Sequence, residues 1–352
     1  MPGIVLITGV SRFLGGRLAA QLAADPAIER VIGIDTVPPR TSDLALLGRT
    51  EFVRADIRNP LIAKLISQGR IGTVVHAGLM SLTDGPSTGG RVPMQERNVI
   101  GTMQLLAACQ KSDTVERVVL RSTTAVYGAR PGDPAVLSED SRPHENPGGG
   151  YPKDAAEVEG YLRGFARRRP DVQTTVLRMA QLIGPTVDTA LTRYLRLPVV
   201  PTVAGFDPRL QLVHESDAVE VLRLASVSDR PGLFNVAGDG VVSLAQVIRR
   251  AGRVRFPVPG PALGLAAAAV RNSAALDLAS EEGDFLRYGR VVDTTRLHEQ
   301  FGYQPRYTTQ QAVDSYLREP SSTPRFLLAA VGVGSDVLQA RRARRQPAVG
   351  SA

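Results

Sequence analysis

Thr8-Gly9-Val10-Ser11-Arg12-Phe13-Leu14-Gly15-Gly16 follows directly on the β-branched run Ile4–Thr8. A glycine leaving a first strand permits a tight turn, and one at the helix start lets helix and strand backbones approach closely. Such a turn presents free N–H groups at a helix N-terminus, where a pyrophosphate can sit. Twenty positions after Gly15, Asp35 ends the run Val31-Ile32-Gly33-Ile34-Asp35. A carboxylate there accepts hydrogen bonds from an adenosine ribose diol and repels a 2′-phosphate. The pattern predicts a dinucleotide site with NAD preferred over NADP, built on Gly9, Ser11, Arg12, Phe13, Leu14, Gly15 and Asp35.

The same unit recurs through the first half of the chain. Candidate strands Ile4–Thr8, Val31–Asp35, Phe52–Ala55, Thr73–His76, Arg117–Ser122 and Gln173–Leu177 alternate with helical stretches Gly15–Ala24, Pro60–Gln68, Pro93–Gln110 and Tyr151–Arg168. The strands are apolar on both sides, as parallel strands covered on two faces must be. Alternating strand and helix gives an α/β fold, a Rossmann doubly wound parallel sheet whose ligand crevice lies at the strand C-termini. Asp56 and Ile57 follow the third strand, and Ala77 and Gly78 the fourth. These positions are expected to contact adenine and its ribose. His76 reads as the buried last residue of a strand.

Beyond about residue 180 prolines and glycines interrupt the pattern, and a smaller C-terminal substrate lobe is expected. The division is residues 1–180 for the dinucleotide domain, 181–319 for the interleaved lobe and 320–352 for a basic tail. A second alanine-rich helical region spans Ala262 to Ala279. The tail carries an apolar run from Phe326 to Gly334 ahead of Arg341, Arg342, Arg344 and Arg345. That run is too short to cross a bilayer and reads as a docked terminal helix, with peripheral membrane contact as the second reading.

Composition narrows the class. With 43% apolar and 22% charged residues in 352, the chain suits a folded protein with a real core. No apolar stretch reaches the roughly 18 residues that a membrane-spanning helix requires. The opening residues read as a strand rather than a secretory leader. Cys109 is the single cysteine. It excludes an internal disulfide framework and a cysteine-based zinc site, no metal is expected, and a reducing, cytoplasmic setting follows. The net charge of +8 would ordinarily raise nucleic-acid binding. However, Lys64, Lys111 and Lys153 are the only lysines, the arginines are spread along the chain, and aromatics are 5%. Nucleic acid is therefore not expected as a partner.

The ordered motifs resemble those of an extended short-chain dehydrogenase/reductase, in the NAD-dependent epimerase/dehydratase family. Besides the glycine turn, Asp35 and Asp56, they include Asn98-Val99-Ile100-Gly101-Thr102 and Ser122-Thr123-Thr124-Ala125-Val126-Tyr127-Gly128. They continue with Tyr151 after a glycine-rich loop, Leu177-Arg178, Gly184-Pro185 and Val213-His214-Glu215-Ser216-Asp217. Asp293-Thr294-Thr295-Arg296 and Phe301-Gly302-Tyr303-Gln304-Pro305 close the series.

The resemblance implies that Tyr151 is the catalytic acid/base and that the hydroxyl of Thr123 bonds the reacting oxygen. It adds Asn98 and Lys153 to the expected cofactor contacts. It also implies a lysine four residues after the tyrosine, which lowers the tyrosine's pKa. Position 155 is alanine, and Lys153 sits two residues after Tyr151, on another helix face. A free tyrosine titrates near 10, so about 4 kcal/mol of phenolate stabilisation at neutral pH must come from elsewhere. The nicotinium charge can provide part of it, and Arg121 or Arg178 can contribute if their side chains turn towards the site. Arg12 replaces the middle glycine of the family turn. The arginine that sugar-nucleotide epimerases place before the histidine falls at Leu210, one off Arg209, which argues against a UDP-sugar.

The expected function is an NAD-dependent epimerase/dehydratase-like oxidoreductase acting on a hydroxyl or ketone of a nucleotide-sugar-like or lipid-like small molecule. The alternative is a non-catalytic NAD(H)-binding sensor or scaffold. A homodimer through Pro93–Gln110 and Tyr151–Arg168 is implied by the resemblance.

Overall fold

Short β-branched runs lie edge to edge in the computed structural model, which describes residues 3–81, 94–143, 150–260 and 283–318. The alanine-rich region at 262–279 and the tail at 320–352 lie outside the described residues. Strands β1 (Ile4–Thr8), β2 (Arg30–Asp35), β3 (Glu51–Arg54), β4 (Thr73–His76), β5 (Arg117–Thr123) and β6 (Gln173–Met179) join Gly232–Val236 in one seven-stranded sheet. Its order is Gly232–Val236, β6, β5, β4, β1, β2, β3, and every pair is parallel. Parallel strands need helical crossovers, and the crossovers cover both faces. Val5, Leu6 and Ile7 of β1 are accordingly fully buried.

From β1 the chain moves outward through β2 and β3, then returns to set β4 on the other side of β1. The strand order therefore reverses between β1 and β4, and a crevice opens there at the C-terminal ends. Helix α1 (Phe13–Ala24) leads off from that crevice. The helix expected over Pro93–Gln110 is wound in two ways among its described residues. Glu96–Ile100 forms a π turn, and Gly101–Gln110 continues as an α-helix. The helix Gly150–Arg168 buries Tyr151, Asp154, Ala155, Val158, Glu159, Leu162 and Phe165. Their spacing is that of a single helical stripe facing the sheet.

After β6 the chain builds shorter pairs. Gln181–Ile183 lies beside Leu212–His214, and Val199–Val203 beside Val254–Val258. Arg209–Leu210 is flanked by Val242–Ser243 and Gly289–Arg290. Leu191, Tyr194, Leu210, Leu244, Phe285 and Val313 belong to a second apolar cluster, distinct from the core beneath the main sheet. Between these pieces the chain returns to that core with Gly232–Val236 on β6.

Two of the quoted signatures have structural explanations here. Glu215 opens helix Glu215–Val227 and accepts hydrogen bonds from the backbone of Thr186 and Val187. A side chain at Gly184 would collide with the Glu215 carboxylate, which accounts for glycine there. Asp217 accepts from the Tyr303 hydroxyl at 2.7 Å and from the backbone of Arg306 and Tyr307. The segments Val213–Asp217 and Phe301–Pro305 thus meet through one buried carboxylate.

Candidate active site

The turn leaving β1 is lined by backbone. Gly9 adopts φ +77°, and a β-carbon there would stand 2.6 Å from the Cα of Gly78, beyond β4. A β-carbon at Gly15 would strike the carbonyl oxygen of Gly9. Together these glycines keep side chains out of the turn at the start of α1, the arrangement by which a pyrophosphate can reach main-chain N–H groups. Arg12 is the helix N-cap, and its side chain makes no capping bond. Leu14 is buried beneath the turn, so its contribution to the cradle is its backbone. Half-buried Phe13 lies against the Arg17 guanidinium.

Asp35 ends β2 beside this turn. Its carboxylate accepts from the backbone N–H of Ser11 at 3.2 Å and of Thr36 at 2.8 Å. The Ser11 hydroxyl donates to the carbonyl of Val37. Asp56 is held by Arg58, whose Nε and terminal nitrogen lie 3.0 and 2.9 Å from its two oxygens. Burial works against ionisation of Asp56, but the Arg58 bonds outweigh it and hold the carboxyl below the usual range. Ile57 is half-buried next to it, against Gly101.

On the other wall, Ala77 is buried and Gly78 packs on Gly9. His76 spans the switch point. Thr102 donates its hydroxyl to the carbonyl of Asn98, so it must accept from His76 Nε2 at 2.9 Å. That places a proton on Nε2; with the ring kept neutral by its burial, Nδ1 is left to accept from the Thr8 hydroxyl at 2.6 Å. Burial pushes the His76 pKa down to about 4, so the ring is neutral near pH 7. This histidine joins three elements and has no proton to exchange near neutrality.

Asn98 lies in the π turn with its amide fully engaged. It donates to the Met80 carbonyl, accepts from the Met80 N–H, both at 2.8 Å, and donates to Asp154 at 3.0 Å. It thus fixes the segment after β4 and ties it to the helix bearing Tyr151. The motif at 98–102 marks Asn98, but its bonds to Met80 and Asp154 join segments that are distant in sequence; locally the residue stands out as an asparagine in a helical run, where its propensity is poor.

Along β5 the side chains alternate. Ser122 donates to Glu159 at 2.6 Å, so Arg121 and Thr123 stand on the opposite face. The Thr123 hydroxyl accepts from the Ala125 N–H at 3.1 Å, which fixes its direction at the strand end. Tyr151 is buried in the first turn of its helix. Ala155 lies on the same stripe, whereas Lys153 is exposed on another side. Lys153 stands exposed two residues along the helix from the buried Tyr151.

The two candidate cations part company. Arg178 is 1% exposed and forked onto Glu159 at 2.6 to 3.2 Å, with a further bond to the Tyr127 hydroxyl. It is fully committed. The guanidinium of Arg121 lies over the ring of Tyr151, 5.9 Å from its centroid, and donates to the Leu79 carbonyl at 3.3 Å. Tyr127, the other tyrosine at this strand end, donates to Asn235, and burial holds its hydroxyl above the usual range. Leu210 is buried in the second apolar cluster and Arg209 is exposed, so the one-residue offset turns that arginine out of the cluster.

Comparison with known proteins identifies the family and the fold. Residues 5–237 match the model of the NAD dependent epimerase/dehydratase family, two thirds of the chain, and the chain belongs to that family. NAD is the family's cofactor, and the cradle fits it. An uncharacterized protein of Mycobacterium tuberculosis is 49% identical over 323 residues, covering 92% of this chain and 85% of its own. D-erythronate dehydrogenase of Cupriavidus necator is 30% identical over 173 residues, covering 47% of this chain and 51% of its own. Among solved structures, the fold is similar to UDP-glucose 4-epimerase of Thermotoga maritima, with a TM-score of 0.68 at 20% identity, covering 89% of this chain and 97% of that one. No helix among the described residues is long and apolar enough to cross a membrane.

Proposed function

We propose that this member of the NAD dependent epimerase/dehydratase family is an enzyme that works at a hydroxyl or ketone carbon of a nucleotide-sugar-like or lipid-like small molecule. The observation that carries this reading is the placement of Tyr151. Its ring is buried beneath Arg121, at the end of the strand that presents Thr123 two residues later. In this reading Tyr151 exchanges the proton on the reacting oxygen, and the Thr123 hydroxyl holds that oxygen in place. NAD, when bound, supplies reversible oxidation of the carbon bearing it.

Gly9, Ser11, Arg12, Phe13, Leu14 and Gly15 would hold the pyrophosphate, chiefly through backbone N–H groups. Asp35 would take the ribose diol, Asp56 and Ile57 the adenine, and Ala77 and Gly78 would form the facing wall. Asn98 would act by positioning that wall, and the exposed Lys153 would meet the cofactor from its own side of the helix. A substrate alcohol of the kind D-erythronate dehydrogenase is named for suits the chemistry, and the outward-facing Arg209 favours substrates other than UDP-sugars. The buried thiol of Cys109 suits a reducing, cytoplasmic setting.

Calorimetric titration with NAD tests the first half of this reading. The second half is tested by incubating NAD-loaded protein with UDP-glucose, dTDP-glucose and D-erythronate, following both substrate conversion by chromatography and the absorbance of reduced nicotinamide, since a redox-neutral turnover leaves none behind. Tyr151→Phe is expected to keep NAD binding and lose both signals. A variant as active as the parent would overturn the assignment and favour a binding module.

A further inference from the structure

A half-buried guanidinium normally sits beside a carboxylate, because removing it from water without a counter-charge is unfavourable. Arg121 breaks that rule. Among the described residues its contacts are the Leu79 carbonyl and the face of Tyr151, and its Nε is buried without a hydrogen-bond partner. The nearby charges are engaged elsewhere. Asp154 accepts from Asn98, and Glu159 is paired with Arg178. Arg97 donates to the Met80 sulfur and acts on Asp56, and Lys153 is exposed.

One helical turn beyond Tyr151, on the same face, stands Ala155, fully buried. A cation at that position would serve a phenolate; alanine has none to offer. We infer that Arg121 supplies this charge from the neighbouring strand, lying over the Tyr151 ring and stabilising its ionised form. The inference rests on the reading of Tyr151 above and assigns the residue that makes its chemistry feasible. Phenolate charge is spread over the ring, so a guanidinium above the ring interacts with it directly. Arg121's buried Nε–H is left to donate to whatever enters beside the tyrosine.

The test is a spectrophotometric titration of phenolate, taken as the difference between each protein and its Tyr151→Phe counterpart. It is run with and without saturating NAD, and NAD binding is measured separately by calorimetry. An opposite charge about this far away lowers a titration midpoint by roughly one to three pH units, a ten- to thousandfold change in the ionised fraction. Arg121→Gln should therefore move the Tyr151 midpoint upward by that amount, Arg121→Lys should largely preserve it, and Ala155→Lys added to Arg121→Gln should restore it. An unmoved midpoint in folded Arg121→Gln would overturn the inference. If NAD fails to bind, the functional reading falls, while the cofactor-free titration still decides whether Arg121 governs Tyr151.

Discussion

Ser11 and Asp35, 24 residues apart in sequence, are joined by a backbone N–H to carboxylate hydrogen bond of 3.2 Å. The carboxylate that ends β2 thereby sets the shape of the glycine turn that leaves β1. One residue thus shapes the cradle and, in the function proposed above, would also take the ribose diol.

Asp35→Ala is expected to weaken NAD binding about ten- to hundredfold, since a hydrogen bond to a charged group contributes about 1.5–3 kcal/mol. Calorimetric titration would measure it. Affinity within twofold of the parent would place the adenosine ribose somewhere else.

Two glycines with nearly the same backbone angle give an internally controlled pair. Gly9 (φ +77°) has no room for a β-carbon, whereas Gly205 (φ +82°) has nothing within 4 Å of one. Gly205→Ala should destabilise by about 1–2 kcal/mol, the cost of the left-handed conformation alone. Gly9→Ala adds a backbone clash of about 1–3 kcal/mol more and should also abolish NAD binding. Urea denaturation of both variants checks the ordering.

Glu159 and Arg178 form a buried ion pair that also receives Ser122 and Tyr127. Removing one partner leaves an uncompensated charge in the core, so Glu159→Leu should destabilise by roughly 3–5 kcal/mol. The double change Glu159→Leu with Arg178→Met should recover much of that loss. Equal denaturation midpoints for the single variant and the parent would show that the pair is dispensable.

Stability should also depend on His76. Its folded pKa lies near 4, below the unfolded value of 6.5, so the native state binds fewer protons than the unfolded one as pH falls. The contribution is intact above pH 6.5 and is lost progressively between there and about pH 4, to a total on the order of 3 kcal/mol. Denaturation midpoints measured across that window should fall more steeply for the parent than for His76→Asn. Parallel curves would show that another group governs acid stability.

The strand-helix alternation and the turn at residues 8–16 were legible because each depends on local chemistry. β-branched runs form buried strands, and a glycine is needed where a side chain would collide. Element ends shifted by a residue or two, as at β5, which reaches Thr123. The π turn at Glu96–Ile100 escaped notice because its hydrophobic spacing resembles that of an ordinary helix. The roles of Asn98, Asp154 and Asp217 were equally hidden, since each bonds to partners far away in sequence.

Sequence by itself determined the sheet class, the glycine cradle and the absence of a lysine at position 155, because these follow from residue type and near-neighbour spacing. Only the tertiary structure decided between Arg121 and Arg178. Both are arginines on adjacent parallel strands, but Arg178 is forked onto Glu159 and paired there, whereas Arg121, next to the Ser122 that registers with Arg178, lies over the ring of the tyrosine. Which of two like charges is free for chemistry depends on what packs against it, and that is fixed by contacts between segments that the linear order keeps apart.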